Sequence, residues 1–174
     1  MELAKIVKTG DWLFVSGNSL ISKLIKKATA GNVNHVGIVS EGTKIFETDL
    51  AWGKAEYHDI AKYNDRKVIV IRPVFSKNPQ IVDQLCKKYE GTPYSIWDIV
   101  VNATLSWMKD AWRKHLMTIT GNKKFMICSE LTGRVTYEAT GYKALKDFEG
   151  MTPQDLLVMA RMRPTDFRVI YEAP

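Results

Sequence analysis

Residues 34–49 read Asn34-His35-Val36-Gly37-Ile38-Val39-Ser40-Glu41-Gly42-Thr43-Lys44-Ile45-Phe46-Glu47-Thr48-Asp49. The β-branched content of 34–39 predicts a strand. Ser40-Glu41-Gly42-Thr43 is a turn, and Lys44 to Asp49 predicts a second strand, so the stretch folds as an antiparallel hairpin. If Glu41-Gly42-Thr43 is a three-residue loop, paired residues have numbers that sum to 84. His35 then faces Asp49, and Glu47 faces Gly37, diagonal to His35 on the same face and about 7–8 Å from it between backbones. A two-residue loop makes the sum 83 and sends Glu47 to the other face. The turn therefore decides whether Glu47 can hold the imidazole, with Asp49 as the competing orienter.

Further short strands are predicted at Asp11 to Val15, Lys67 to Arg72 and Phe167 to Tyr171. Asn18 to Ala30 predicts a helix, with Leu20, Ile21, Leu24, Ile25 and Ala28 on one face and Lys23, Lys26 and Lys27 on the other. Glu56-Tyr57-His58-Asp59 reads as loop. Pro79 to Glu90 and Cys128 to Ala139 predict helices, the second with Gly141 as C-cap. Ile96 to Leu116 predicts a Trp-rich helical region. Thr152-Pro153 opens a last helix, with Thr as N-cap and Pro at the first position. Strands early and helices late imply an α+β fold, and no linker divides residues 1–174, so one domain is expected.

With 174 residues, 45% hydrophobic and 25% charged, the composition is that of a globular protein. It excludes a disordered chain, a collagen and a disulfide-rich miniprotein. The net charge of +6 favours acidic partners without choosing among them. No signal-peptide core is visible, and the longest apolar span, Ile96 to Met108, is 13 residues against the roughly 20 of a membrane helix. A cytoplasmic location follows as an expectation. The three His and two Cys show no metal-ligand spacing, and neither metal nor cofactor is expected. Scattered lysine pairs argue against nucleic acid.

The two cysteines separate. Cys86 sits with Val82, Leu85 and Tyr89 on the apolar stripe of its helix, where a thiol is an inert small hydrophobe. Cys128 follows the extended run Phe125-Met126-Ile127 and opens a helix, where unpaired N–H groups and the dipole favour a thiolate. A thiolate needs a base. His115 lies in a charged stretch and His58 in the expected loop; His35 begins an otherwise apolar strand, where a polar residue wants an explanation.

At this point the pattern resembles a known family. Asn34-His35-Val36-Gly37-Ile38-Val39, with Glu47 twelve residues after the His, resembles the His segment of NlpC-type papain-like amidases. Ile127-Cys128-Ser129-Glu130-Leu131 resembles their nucleophile helix. His35 precedes Cys128 by 93 residues, the order of the circularly permuted YaeF/YiiX-like branch, which is related to lecithin:retinol acyltransferase-like enzymes. Gly10-Asp11-Trp12-Leu13, Gly91-Thr92-Pro93-Tyr94 and Thr152-Pro153-Gln154-Asp155-Leu156 are similar to further segments of that branch. Ile127 stands where ordinary members often carry Asp, and the stretch between Tyr94 and Cys128 matches nothing in the family.

The resemblance implies a permuted papain-like fold, a small antiparallel sheet or barrel packed against the nucleophile helix. It implies a cysteine hydrolase, with Cys128 as nucleophile, His35 as base, Glu47 as third residue and Tyr94 as an oxyanion donor. The implied substrate is an amide or ester, of peptide or cell-wall type or a lipid acyl group. Trp97, Trp107 and Trp112 could line an acyl groove or be core. The basic helix could rest on anionic lipid in a peripheral membrane contact. The alternative is a catalytically inactive module of the same fold that binds lipid or another acidic partner.

Overall fold

The computed structural model describes residues 2–19, 22–23, 26–27, 29–48, 53–74, 78–94 and 126–173. The strands are β1 (Trp12–Ser16), β2 (His35–Ser40), β3 (Lys44–Thr48), β4 (Ala55–Asp59), β5 (Lys67–Pro73) and β6 (Phe167–Glu172). The helices are α1 (Pro79–Tyr89), α2 (Cys128–Thr140) and α3 (Pro153–Arg161), with short 3-10 turns at Leu3–Lys5, Ile60–Tyr63 and Lys143–Leu145. The six strands form one antiparallel sheet in the order β4-β3-β2-β1-β5-β6. The fold is α+β, and the C-terminal strand returns to the sheet edge beside β5. Of the helix expected over residues 18–30, Ser22, Lys23, Lys26 and Lys27 are helical, while Leu20, Ile21, Leu24, Ile25 and Ala28 lie outside the described residues. So do Asp49 and the whole Trp-rich stretch with Trp97, Trp107, Trp112 and His115. Among the described residues no helix is long and apolar enough to cross a membrane.

The period-2 alternation of the strands divides the core. Trp12, Phe14, Val36, Ile38, Phe46 and Ile71 pack with Leu131 and Val135 of α2, Cys86 of α1 and Leu156 of α3. The alternate residues Leu13, Val15, Val39, Ile45, Val68 and Val70 pack on the other face with Leu3, Ile60 and Tyr63. Trp12 ties sheet to helix, because its indole N–H donates to Thr136 Oγ1 at 2.9 Å. Its neighbour Asp11, fully buried, takes a two-point contact from Arg72 at 2.9 and 2.7 Å. A guanidinium fork of this kind answers the desolvation of a buried carboxylate.

The β2–β3 hairpin has the three-residue loop. Ile38 pairs with Phe46, Val39 with Ile45 and Ser40 with Lys44, all summing to 84. Glu41 and Gly42 both take positive φ, 47° and 80°. That conformation is unusual for Glu41, and Asp83 of α1 holds it by accepting from the Glu41 N–H at 2.8 Å and the Ser40 hydroxyl at 2.7 Å.

One expectation is corrected. Glu56-Tyr57-His58-Asp59 is not loop but most of β4, paired with β3 from Lys44↔Asp59 to Thr48↔Ala55. Its charges mask it as a strand, yet β4 lies at the sheet edge and Glu56, Tyr57 and His58 are only half-buried, so polar side chains are tolerated there.

Candidate active site

Three elements bring the candidate residues together. His35 is the first residue of β2, Glu47 sits near the end of β3, and Cys128 is the first residue of α2. The 84-sum register places Glu47 opposite Gly37 and on the face of His35. A Cβ on Gly37 would come within 2.8 Å of Ile45 Cγ1 and 3.1 Å of Glu47 Cβ. The bare glycine is what allows β3 to press Glu47 toward His35. The result is a contact of 2.7 Å between His35 Nε2 and Glu47 Oε2.

Cys128 lies near enough to the His35 ring to act on its charge. Burial opposes a charge on the ring, but the negative charge and hydrogen bond of Cys128, followed by those of Glu47, outweigh it. The His35 pKa therefore lies well above its ordinary 6.5. Burial likewise pushes the Glu47 carboxyl up, yet the His35 hydrogen bond and charge and the Lys62 ammonium hold it down at about 2. An ionised Glu47 can only accept. Nε2 must then carry the proton of the neutral ring, which leaves Nδ1 as its proton acceptor.

The Tyr94 backbone runs beside the segment that leads into α2. Its N–H donates to the Gly53 carbonyl at 2.9 Å, and it forms a parallel bridge with Met126, two residues before Cys128. Its side chain is half-buried. The α2 N-terminus is organised to keep its first turn open. Ile127, at the N-cap, has no side-chain acceptor for the first N–H groups. Glu130 instead reaches back to the Ile127 N–H at 3.3 Å and to the Gly150 N–H at 2.9 Å, and the Ser129 hydroxyl donates to the Met151 carbonyl at 2.6 Å.

The other candidates are elsewhere. Cys86 is fully buried, and that burial pushes its thiol up to about 12. His58 lies in β4 opposite Ile45 and contacts Glu56 at 3.4 Å. Asp49, the competing orienter, and His115 lie outside the described residues.

Two residues at the site escape sequence reasoning. The Tyr63 hydroxyl donates to Glu47 Oε2 at 2.7 Å, and the Lys62 ammonium pairs with Glu47 Oε1. Both come from the 3-10 turn Ile60–Tyr63, which no local motif advertises. Only the hairpin register and the hidden β4 together bring that turn over Glu47.

These strands, this helix order and this row of side chains define an α+β protein with a histidine–carboxylate pair at a sheet rim and a cysteine at a helix start. No family model matches the chain, and no curated protein resembles it in sequence. Among solved structures it is similar to the metalloprotein YiiX of Escherichia coli O157:H7, described as DUF1105. The TM-score is 0.58 at 21% identity, over 96% of this chain and 87% of that one. That likeness shows a shared fold. YiiX is described as a metalloprotein. Among the described residues no three His, Cys, Asp or Glu side chains are grouped to hold an ion. Glu47 has both oxygens engaged by protein donors.

Proposed function

We propose that the chain is a thiol hydrolase of the circularly permuted papain-like kind, cleaving an amide or ester through Cys128, His35 and Glu47. The observation that carries this reading is the His35 ring held 2.7 Å from the Glu47 carboxylate, with Cys128 near it at the start of α2. A third group that orients a base, and a base beside a nucleophile, are the parts that covalent catalysis needs.

In this mechanism the thiol proton passes to His35 Nδ1 and leaves a thiolate–imidazolium pair. The sulfur attacks the acyl carbon, the S–C bond forms, and the carbonyl electrons become an oxyanion. The Cys128 backbone N–H, in the uncapped first turn, and the Tyr94 hydroxyl supply its donors. As the oxyanion collapses, the C–N or C–O bond breaks and Nδ1 gives its proton to the leaving group. A water then loses a proton to Nδ1 and attacks the thioester, and the C–S bond breaks to release the acid. Glu47 stabilises each imidazolium along the way. The acyl group belongs to a peptide, a cell-wall stem or a lipid, and an acceptor other than water makes the same site a transferase.

Alkylation with iodoacetamide from pH 4 to 9, with the modified cysteine located by mass spectrometry, tests the reading. Cys128 is expected to react rapidly below pH 7 and Cys86 slowly, and His35→Ala is expected to abolish the difference. Sluggish Cys128 alkylation with an ordinary thiol midpoint identifies instead a non-catalytic module of this fold.

A further inference from the structure

Glu47 has no solvent-exposed side-chain surface, and its neighbours approach from several elements. His35 of β2 faces Oε2 at 2.7 Å, and the Tyr63 hydroxyl donates to that same oxygen at 2.7 Å. The Lys62 ammonium, on a side chain 28% exposed, pairs with Oε1. Glu56 of β4 is the cross-strand neighbour, itself paired with Lys54 at 3.3 Å and His58 at 3.4 Å. Cys128 of α2 lies beyond the ring.

Resting on the thiol-hydrolase reading, we infer that Lys62 and Tyr63 are positioning residues that keep the Glu47 carboxylate ionised and aimed at His35 Nε2. A thiolate, an imidazolium and a carboxylate leave one negative charge in excess in a buried site, and the Lys62 ammonium balances it. Protonation of Glu47 carries a specific chemical penalty. A protonated carboxyl donates to Nε2, which moves the ring proton of neutral His35 to Nδ1 and removes the lone pair that must take the thiol proton. The donors on Glu47 thus protect the tautomer as well as the ring orientation.

The turn that carries them is built to stay in place. Asp59 caps it by accepting from the Ala61 N–H at 2.8 Å, Ile60 is fully buried, and the Lys62 ammonium lies 5.0 Å from the Tyr63 ring centroid.

The test is a carbon NMR titration of glutamate-labelled protein from pH 3 to 7, with the Glu47 signal identified by its loss in Glu47→Gln. In the unsubstituted protein Glu47 is expected to stay a carboxylate down to about pH 3. In Lys62→Met and in Tyr63→Phe its midpoint is expected to rise by about one unit or more, because a carboxylate loses an opposite charge or a donor. Lys62→Arg is expected to restore it. The acid limb of Cys128 alkylation should move up with the carboxyl midpoint, which a purely structural role would not cause. Lys62→Gln keeps a polar group of similar reach if Lys62→Met unfolds. An unchanged Glu47 titration in the Lys62 and Tyr63 variants overturns the proposal. Sluggish Cys128 alkylation in the unsubstituted protein overturns the underlying reading, and the two failures are told apart because they are read on different atoms.

Discussion

His35 and Glu47 are twelve residues apart in the chain and 2.7 Å apart in space, Nε2 to Oε2. The turn between them sets this distance. A three-residue loop gives an 84-sum register and puts both side chains on one face, and a shift of one residue would put them on opposite faces. The pair is therefore a property of the Glu41-Gly42-Thr43 turn as much as of the two residues themselves.

The first prediction concerns turnover. Cys128→Ala is expected to abolish hydrolysis of any substrate the native protein cleaves, and His35→Ala to lower it by about 10²–10⁴, the usual worth of a positioned acid–base group. Both should retain native circular dichroism. Wild-type turnover from Cys128→Ala, measured with the same substrate, would remove the mechanism.

A second prediction separates the sulfur from the carboxylate. The His35 pKa is held up against burial chiefly by Cys128 and then by Glu47. Cys128→Ala removes the larger of the raising influences, so the His35 midpoint is expected to fall. Glu47→Gln should lower it too. Histidine NMR titration reads both, and an unmoved midpoint in Cys128→Ala would mean that the sulfur carries no charge beside the ring.

The same shifts set a stability window. His35 has a raised pKa when folded, so its contribution is complete below about pH 6.5 and is lost as pH rises through the folded value. Glu47 has a depressed one, so its contribution is present above 4.5 and is lost as pH falls through about 2. Urea unfolding across pH is expected to show a loss at both ends, and His35→Gln should flatten the alkaline end. An alkaline limb identical in His35→Gln and the native protein would contradict the assignment.

The hairpin over residues 34–49 is legible in the sequence, because period-2 patterning marks both strands, but its register is not: sums of 83 and 84 both fit the sequence, and the three-residue loop of the structure decides between them. The start of α2 at Cys128 and of α3 at Pro153 was legible for a similar reason. Thr152 and Asp155 form a reciprocal cap, with the Asp155 N–H donating to Thr152 Oγ1 at 3.1 Å and the Thr152 N–H to Asp155 Oδ2 at 2.9 Å. The parts that stayed hidden depend on tertiary context. β4 is an edge strand whose charges read as loop, and Lys62 and Tyr63 gain their meaning only once that strand is in place. The bridge between Tyr94 and Met126 joins segments far apart in the chain, and no local pattern announces it.

Gly37 offers a test of the close approach. A methyl there would stand 2.8 and 2.9 Å from Ile45 and 3.1 Å from Glu47. Gly37→Ala must push β3 away or force Ile45 off its rotamer, at a cost of about 1–3 kcal/mol. The displacement also loosens Glu47 from His35, so Cys128 alkylation below pH 7 should slow in the folded variant. Thermal unfolding and alkylation measured together distinguish this from simple destabilisation, since a variant such as Val39→Ala should lower stability without changing the pH profile.

The last prediction concerns the other buried carboxylate. Asp11 is fully buried and holds Arg72 by two contacts, while its Oδ2 also accepts from the Lys8 N–H at 2.8 Å. Arg72 Nη2 in turn donates to the Ile6 carbonyl at 2.8 Å, so the pair ties the N-terminal segment to β5. Arg72→Met leaves Asp11 without its counter-charge, and a buried carboxylate without a partner is worse than none. A loss of about 3 kcal/mol is expected from Arg72→Met. Replacing both residues, Asp11→Asn with Arg72→Met, should recover part of that loss, because the uncompensated charge is gone. Urea unfolding of the two single variants and the double variant supplies the cycle, and strict additivity would show that the two side chains do not act on each other.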